Sequence, residues 1–399
     1  MRVAMVSEHA NPLAAVGRVD AGGQNVHVAA LSAQLARRGH QVTVFTRRDD
    51  AQLPDRVRTP DGYDVEHVTA GPASEIPKDD ILTYIPAFTR ALEQRWLAEP
   101  FDIIHAHFWM SGLASILAAP LGVPVVQTFH ALGTVKRRYQ GYMDSSPAER
   151  LAVEAQLCAQ VDRVIATCSD EAAELVAMGM DRERIDIVPC GVDVDMFTPR
   201  RLPPSRRRRL LTVGRLVERK GVADVIEALA ELPQDVDLLV AGGPERAALS
   251  LDPEANRLRE VARACGVASR VYFLGGVPRV AMPRLFAAAD VAVAVPWYEP
   301  FGIVPLEAMA CARPVVASAV GGMLDSVVPG VTGELVPARQ PAVLADTLAA
   351  LLADPQLRAA RGQCGRARVT REYRWEAIAE RTERVYAKLT AELSVALSS

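Results

Sequence analysis

Two carboxylates, Glu299 and Glu307, bracket a turn in the stretch "WYEPFGIVPLE" from Trp297 to Glu307. The apolar run "VAVAVP" before it reads as a strand ending at Pro296, which puts Glu299 at a strand's carboxyl end. Pro305 suits the first position of a helix, which places Glu307 in that helix's first turn. A first-turn glutamate is favourable toward the helix dipole with or without a function. Glu299 has no such local reason. Gly302 lets a ligand come close to the backbone, and the amides of Phe301, Gly302 and Ile303, continuing to Leu306, point toward an anion. Carboxylates on both sides of an amide-rich anion site suit a molecule with hydroxyls at both ends and phosphates between them.

A second constellation follows another strand end. In "LLTVGRLVERKGVADVIEAL", Gly214 closes a strand, Arg215 and Lys220 follow, and a helix starts near Val222. A glycine, two cations and a helix N-terminus together suit a diphosphate, although the same residues also make an ordinary charged surface loop. Near the chain's start, Gly22-Gly23 stands where a helix begins at Gln24 or Asn25, which opens backbone amides to a ligand. By itself the pair also fits a loop that needs positive φ. His130 ends the run "VPVVQTFH", which places an imidazole at a cleft edge to meet a substrate, or to cap a neighbouring strand. A nucleotide sugar matches the carboxylate pair, with one glutamate on the sugar and one on the ribose.

Other constellations are weaker. All seven histidines lie within the first 130 residues, and His105 and His107 of "DIIHAHFWMSG" share a strand face. With His130 they suggest zinc, but no His-Glu-x-x-His pattern and no anchoring cysteine accompanies them, so no metal is expected. Asp193-Val194-Asp195 in "GVDVDMF" reads as a turn with local aspartate hydrogen bonds rather than a cation site. The full Gly-x-Gly-x-x-Gly fingerprint is absent, which argues against a dehydrogenase. Cysteines 158, 168, 190, 265, 311 and 364 form no Cys-x-x-Cys pair, as expected of reduced thiols in a cytoplasmic protein.

The elements that must position these residues follow from length and pattern. A chain of 399 residues exceeds one ordinary core, so two domains are expected. Lys and Arg total 45 against 48 Asp and Glu, which gives no general pull toward nucleic acid or an anionic membrane. No window has the ~18 uncharged apolar residues of a membrane span, and the apolar patch before Glu8 is too short for a secretory signal. "RVAMVS", "QVTVFT", "DIIHAH", "VPVVQTF", "RVIATC" and "IDIVP" read as strands. "NVHVAALSAQLARRG" reads as a helix with Val28, Leu31, Leu35 and Ala36 on one face. The pattern restarts with "RLLTVG", "DLLVAGG", "RVYFLGG", "VAVAVP", "PVVAS" and "GELVP". Continuous apolar strands spaced by helices imply parallel sheets covered on both faces. Two Rossmann-like domains are expected, residues 1–197 and 198–373, facing a central cleft at the strands' carboxyl ends. The Pro- and Arg-rich segment 198–209, with six arginines and no interleaved aromatics, reads as a solvated linker. A long amphipathic helix over 374–399 is expected to pack back on the first domain.

With these residues in view, nearly the whole chain resembles the family-4 retaining glycosyltransferases of the GT-B fold. "EPFGIVPLE" resembles the family's E-x7-E motif, "VGRLVERKG" its phosphate-binding strand and loop, and "GVDVDMF" its domain-end signature. "AGGQNVHV" and "HAHFWMSG" look most like the subgroup of sucrose-phosphate synthases and the inositol-phosphate N-acetylglucosaminyltransferase of mycothiol biosynthesis. The resemblance implies α/β architecture and transfer of a hexose from a nucleotide sugar to a small hydroxylated acceptor, with a phosphate as its expected anion. Arg215 and Lys220 would bind the diphosphate and stabilise the departing nucleotide. Glu307 would hold the ribose, while Glu299 and the amides of Phe301, Gly302 and Ile303 would hold the sugar. His130 would contact the sugar near the reacting centre, and Gly23 would bring its amide to the diphosphate. Same-face attack, with the leaving phosphate oxygen taking the acceptor's proton, would need no protein nucleophile, metal or cofactor.

Asn25, Lys78 and Arg150 match the places that bind the acceptor in the mycothiol-type enzymes. The chain departs from them at Phe108, where a tyrosine is expected, at Ala131, where a threonine is expected, and at "GGMLDS", where Gly-Gly-x-Pro-Glu is usual. The expected partners are a nucleotide-sugar donor and a small-molecule acceptor, without nucleic acid or a membrane span, and with a homodimer as one assembly. Rival readings are a sucrose-phosphate-synthase-like enzyme, a natural-product glycosyltransferase with a non-phosphorylated acceptor, and a non-catalytic sugar-binding protein.

Overall fold

The computed structural model describes residues 1–14, 22–203 and 205–398. Part of the loop before Gly22-Gly23, residues 15–21, lies outside them. The chain forms two compact units, Met1–Cys190 with Trp375–Ser399, and Gly191–Arg374.

The first unit holds, among the described residues, strands β1 (Arg2–Val6), β2 (Gln41–Arg47), β3 (Arg56–Arg58), β4 (Asp64–Val68), β5 (Ile103–His107), β6 (Val125–Thr128), β7 (Arg163–Ala166) and β8 (Ile185–Ile187). They form one sheet in the order β3-β4-β2-β1-β5-β6-β7-β8, and only the β3–β4 pairing is antiparallel. Successive residues of a strand face opposite sides, and β1 feeds two cores accordingly. Ala4 and Val6 pack with Phe45, Trp96 and Phe129. Val3 and Met5 pack with Val28, Leu31 and Leu35 of helix Gly23–Arg37 and with Ile378 and Tyr386 of helix Trp375–Ser398.

The second unit holds β9 (Arg208–Val213), β10 (Val236–Ala241), β11 (Val271–Gly275), β12 (Val291–Ala294), β13 (Val315–Ser318) and β14 (Gly333–Val336). Their order is β11-β10-β9-β12-β13-β14, parallel throughout. Leu210 enters one core with Val225, Ile226 and Val293, and Leu211 enters the other with Phe197, Phe286 and Leu306. In both sheets the strand order reverses beside the first strand, where helices leave on opposite faces and the carboxyl ends open to a ligand.

The apolar runs read from sequence all form strands, and β3 and β4 join them. Charged residues alternate with Val65 and Val68 in β4 and mask it as a strand. Two expectations are corrected. The units divide at Cys190–Gly191 rather than after residue 197, because Val192 and Phe197 are buried in the second unit's core. The arginine-rich segment is not wholly a linker. Arg208 and Arg209 open β9, Arg207 pairs with Asp237 at 2.6 Å, and Arg208 pairs with Asp235 at 2.6 Å.

Candidate functional site

In the second unit, candidate residues gather at the carboxyl ends of β9 and β12. Lys220 closes a short turn, Glu218–Lys220, after β9, and its ammonium pairs with the Glu299 carboxylate. The two are 79 residues apart in sequence. Burial pushes the Glu299 carboxyl up, but Lys220, Arg219 and the Phe301 amide outweigh it and hold the group below the ordinary range. The Phe301 amide therefore meets Glu299 itself. Arg215 is exposed at the end of β9 and makes no side-chain hydrogen bond or ion pair with the described residues.

The loop carrying Glu299 is set by close backbone packing. Gly302 starts helix Ile303–Ala310 from a left-handed φ of 70°, a conformation costly for other residues. The Gly322 amide donates to the Glu299 carbonyl at 3.1 Å, and a Cβ on Gly321 would stand 2.1 Å from that same oxygen. "GGMLDS" thus anchors Glu299 through its backbone.

Two expectations about this helix change. It begins at Ile303, so Pro305 is its third residue and Glu307 lies in the second turn, beyond the dipole benefit of the first. Pro305 also supplies no N–H to the expected run of amides. Glu307 instead meets Arg279 at 3.1 Å, whose guanidinium sits 5.2 Å from the Phe197 ring centre. Burial pushes the Glu307 carboxyl up to about 7, against the pull of Arg279.

In the first unit the neighbouring strand ends of β1, β5 and β6 gather imidazoles. His107 ends β5, and His130 follows β6 with a φ of 64°. Phe108, with φ 80° and ψ 157°, occupies backbone space that is essentially reserved for glycine, and its amide donates to the Thr128 carbonyl at 2.8 Å. Strain of this kind clusters at functional sites, which makes these adjacent strand ends a candidate region. His130 is not at an open edge, as expected, but 3% exposed, with Nε2 2.9 Å from Nδ1 of His107. His105 bonds Tyr386 at 2.6 Å and Thr128 at 2.8 Å, and His27 approaches Cys190 at 3.2 Å. Burial takes His27 down to about 4 and His105 to about 3, and drives His107 and His130 well below the ordinary histidine range. All four rings are therefore neutral at pH 7 and act through hydrogen bonds.

The residues assigned to the acceptor divide. Lys78 and Arg150 converge on Phe108, their charges 5.4 and 5.1 Å from its ring centre, and the His9 ring stands edge-on to it at 4.8 Å. Arg150 is buried. It donates to Glu154 at 2.7 Å, Ser146 at 3.1 Å and the Ala131 carbonyl at 2.6 Å, so three of its five N–H groups are engaged. Glu154 in turn accepts the Gly133 amide at 2.8 Å. Asn25 serves its own helix, accepting the Gly22 amide at 3.0 Å and donating to the Asn11 carbonyl at 2.9 Å. Gly23 is the first residue of that helix. Asp193 accepts the amides of Asp195 at 3.0 Å and Met196 at 2.8 Å, as the turn reading expects.

Sequence reasoning missed Met5, His27, Arg279 and Glu154. Met5, His27 and Arg279 matter through partners far along the chain, which no local spacing announces, whereas Glu154 meets Arg150 four residues before it as well as the distant Gly133 amide. His27 and Glu154 lie on buried helix faces that carry other polar residues, Asn25 and Gln34 in one and Arg150 in the other, so neither stands out by pattern.

Comparison with known proteins fits this geometry. Residues 21–196 match the family model described as Glycosyltransferase Family 4, and residues 196–368 match Glycosyl transferases group 1. The D-inositol 3-phosphate glycosyltransferase of Xylanimonas cellulosilytica is 39% identical over 416 residues, spanning 98% of this chain and 97% of its own. The enzyme of the same name from Mycolicibacterium smegmatis is 39% identical over 366 residues, spanning 88% and 83%. Among solved structures, sucrose-phosphate synthase from Thermosynechococcus elongatus aligns with a TM-score of 0.88 at 33% identity, over 98% of this chain and 99% of its own. HepE of Anabaena, solved in complex with UDP and glucose, shares the fold, with a TM-score of 0.74 at 21% identity over 97% and 100% of the two chains.

Proposed function

We propose, for a chain that belongs to the family-4 glycosyltransferases, that it transfers a hexose from a nucleotide sugar to a phosphorylated polyol with retention at the anomeric carbon. The observation that carries the donor half is the Lys220–Glu299 pair, in which a cation and a carboxylate from distant strand ends are already joined. Lys220 and Arg215 meet the diphosphate and the charge that grows on it as the bond to the sugar breaks. Glu299, held by the Phe301 amide, and the amides of Gly302 and Ile303 hold the sugar, Glu307 holds the ribose, and Gly23 and His130 contact diphosphate and sugar. The acceptor hydroxyl attacks the face the nucleotide leaves, and its proton passes to the leaving phosphate oxygen. No protein nucleophile or metal takes part, and the protein works in the cytoplasm. Among the described residues no helix is long and apolar enough to cross a membrane.

The acceptor half rests on Lys78 and Arg150, which converge around Phe108. Asn25 joins the acceptor set on the resemblance to the mycothiol-type enzymes. Since Phe108 and Ala131 lack the hydroxyls expected there, acceptor selectivity differs from that of the D-inositol 3-phosphate relatives. A sucrose-phosphate-synthase-like activity is the second reading, favoured by the structural likeness to that enzyme.

The test is a nucleotide-sugar panel scored by slow donor hydrolysis, followed by D-inositol 3-phosphate, fructose 6-phosphate and their dephosphorylated forms as acceptors. Transfer confined to phosphorylated forms is expected, and it should persist in EDTA. Equal rates on both forms would remove the anion from the proposal. Donor binding without turnover on any acceptor would point to a sugar-binding protein.

A further inference from the structure

His107 has two neighbours that together decide where its proton sits. Its Nε2 lies 3.4 Å from the Met5 sulfur, and its Nδ1 lies 2.9 Å from Nε2 of His130. The His107 and His130 rings are 23° from coplanar with centres 5.1 Å apart, so they meet edge to edge along that N–N line. Met5 and His107 are fully buried and His130 is 3% exposed. Burial keeps both imidazoles neutral at pH 7, so each carries one N–H.

A thioether sulfur accepts a hydrogen bond and cannot donate one. Only one assignment then makes both contacts hydrogen bonds. His107 carries its proton on Nε2 and donates to Met5. Its Nδ1 is an acceptor, so the proton between the rings belongs to Nε2 of His130. The opposite assignment sets the bare Nε2 of His107 against the sulfur's lone pairs and forfeits one bond in a buried place. His105 offers no competing proton to the pair, since its nitrogens meet Tyr386 and Thr128. The three residues lie on or just beyond β1, β5 and β6, which are successive strands of one parallel sheet.

We infer that Met5 and His107 are positioning residues that fix His130, the histidine proposed above to contact the sugar, in its Nε2–H tautomer. The sugar contact rests on the role proposed above for His130. The tautomer rests on the two contacts and on the neutrality of the buried rings.

The experiment is NMR of protein labelled with 15N-histidine, in which protonated and bare ring nitrogens separate clearly. H107Q and H130Q proteins assign the signals. In the unaltered protein both rings should be Nε2–H. Met5→Leu keeps the volume close while removing the acceptor. It should move both rings together toward Nδ1–H and slow acceptor-free donor hydrolysis roughly fivefold, about the weight of one hydrogen bond. An unaltered protein with His107 protonated at Nδ1 overturns the relay without any variant. A folded Met5→Leu protein with both rings still Nε2–H overturns the part given to Met5. Rings that switch while hydrolysis holds its rate overturn the link to the sugar, and so separate failure of the His130 role from failure of the relay.

Discussion

The imidazoles beside β5 and the ion pairs beside β12 meet burial in opposite ways. His27, His105, His107 and His130 shed their charge, and what remains is a directional pattern of donors and acceptors. Glu299 keeps its charge, because Lys220, Arg219 and the Phe301 amide outweigh its burial. A half-buried pair of this kind is weak evidence of added stability, since two charges must partly leave water to form it. It is well suited to exchange, because a diphosphate can take Lys220 while sugar hydroxyls take Glu299. On the roles proposed above, one region orients and the other trades partners when a charged ligand arrives.

The largest test of that contrast is removal of the cations. Lys220→Ala and Arg215→Ala should each lower turnover about a hundredfold, the ~3 kcal/mol typical of a group that meets transition-state charge. They should differ in stability. Lys220→Ala leaves the Glu299 carboxylate unpaired and should lower Tm, whereas Arg215 is exposed without such a partner and its loss should leave Tm unchanged. Near-normal turnover in both folded variants would reduce this loop to charged surface.

The two glutamates should then separate kinetically. Glu299→Ala should chiefly lower kcat, because contacts to the reacting sugar strengthen in the transition state, by roughly a hundredfold if they match the donors above. Glu307→Ala should chiefly raise the donor KM, because ribose contacts are equal in ground and transition states. The reverse pattern would exchange their assignments.

That the glutamates occupy different settings was partly legible in sequence. "VAVAVP" placed Glu299 at a strand end, and "VGRLVERKG" placed Lys220 before a helix. That they touch was not legible, since it depends on β9 and β12 being neighbours. Pro305 suggested a helix start two residues too late, because the left-handed turn at Gly302 begins the helix earlier. Phe197 read as part of the first domain, since nothing in "VDMF" says which core the phenyl ring will enter. Parallel strands announce themselves by composition. The pairings that build a site belong to strand order.

A smaller effect comes from pH. Glu307 titrates at about 7, above its unfolded value of ~4.3. The folded protein therefore holds an extra proton between those values. The stabilisation is complete below ~4.3 and is lost as pH rises through about 7. Donor binding runs the other way, because only the carboxylate accepts two ribose hydroxyls, so donor KM should fall as pH rises through 7. Glu307→Gln should flatten that profile, and Arg279→Met should move its midpoint upward by removing the opposing cation. The histidines titrate far below this window. Their contribution is full above ~6.5 and is lost as pH falls toward the values near 4 and 3 of His27 and His105. A KM profile unmoved by either variant would assign the inflection elsewhere.

The smallest expected effect concerns the acceptor, where the two strategies share one residue. Phe108 has a strained backbone, an imidazole at its edge and two cations within 5.4 Å of its centre. The cations are attracted to the ring and gather there whether or not it carries a hydroxyl. Phe108→Tyr keeps the ring and its cations and adds one polar atom, where the mycothiol-type relatives are expected to have it. If an acceptor phosphate lies between Lys78 and Arg150, the new hydroxyl adds one hydrogen bond of about 1 kcal/mol, or roughly fivefold in acceptor KM. The gain should appear with the phosphorylated acceptor and vanish with its dephosphorylated form, while donor hydrolysis stays constant. Lys78→Ala should move the same ratio the opposite way. Arg150 is less clean as a probe, because its loss also frees Glu154 and the Ala131–Gly133 loop. Equal gains on both acceptors would mean that the hydroxyl meets the polyol rather than its phosphate. No change on either would place the acceptor's anion away from Phe108 altogether.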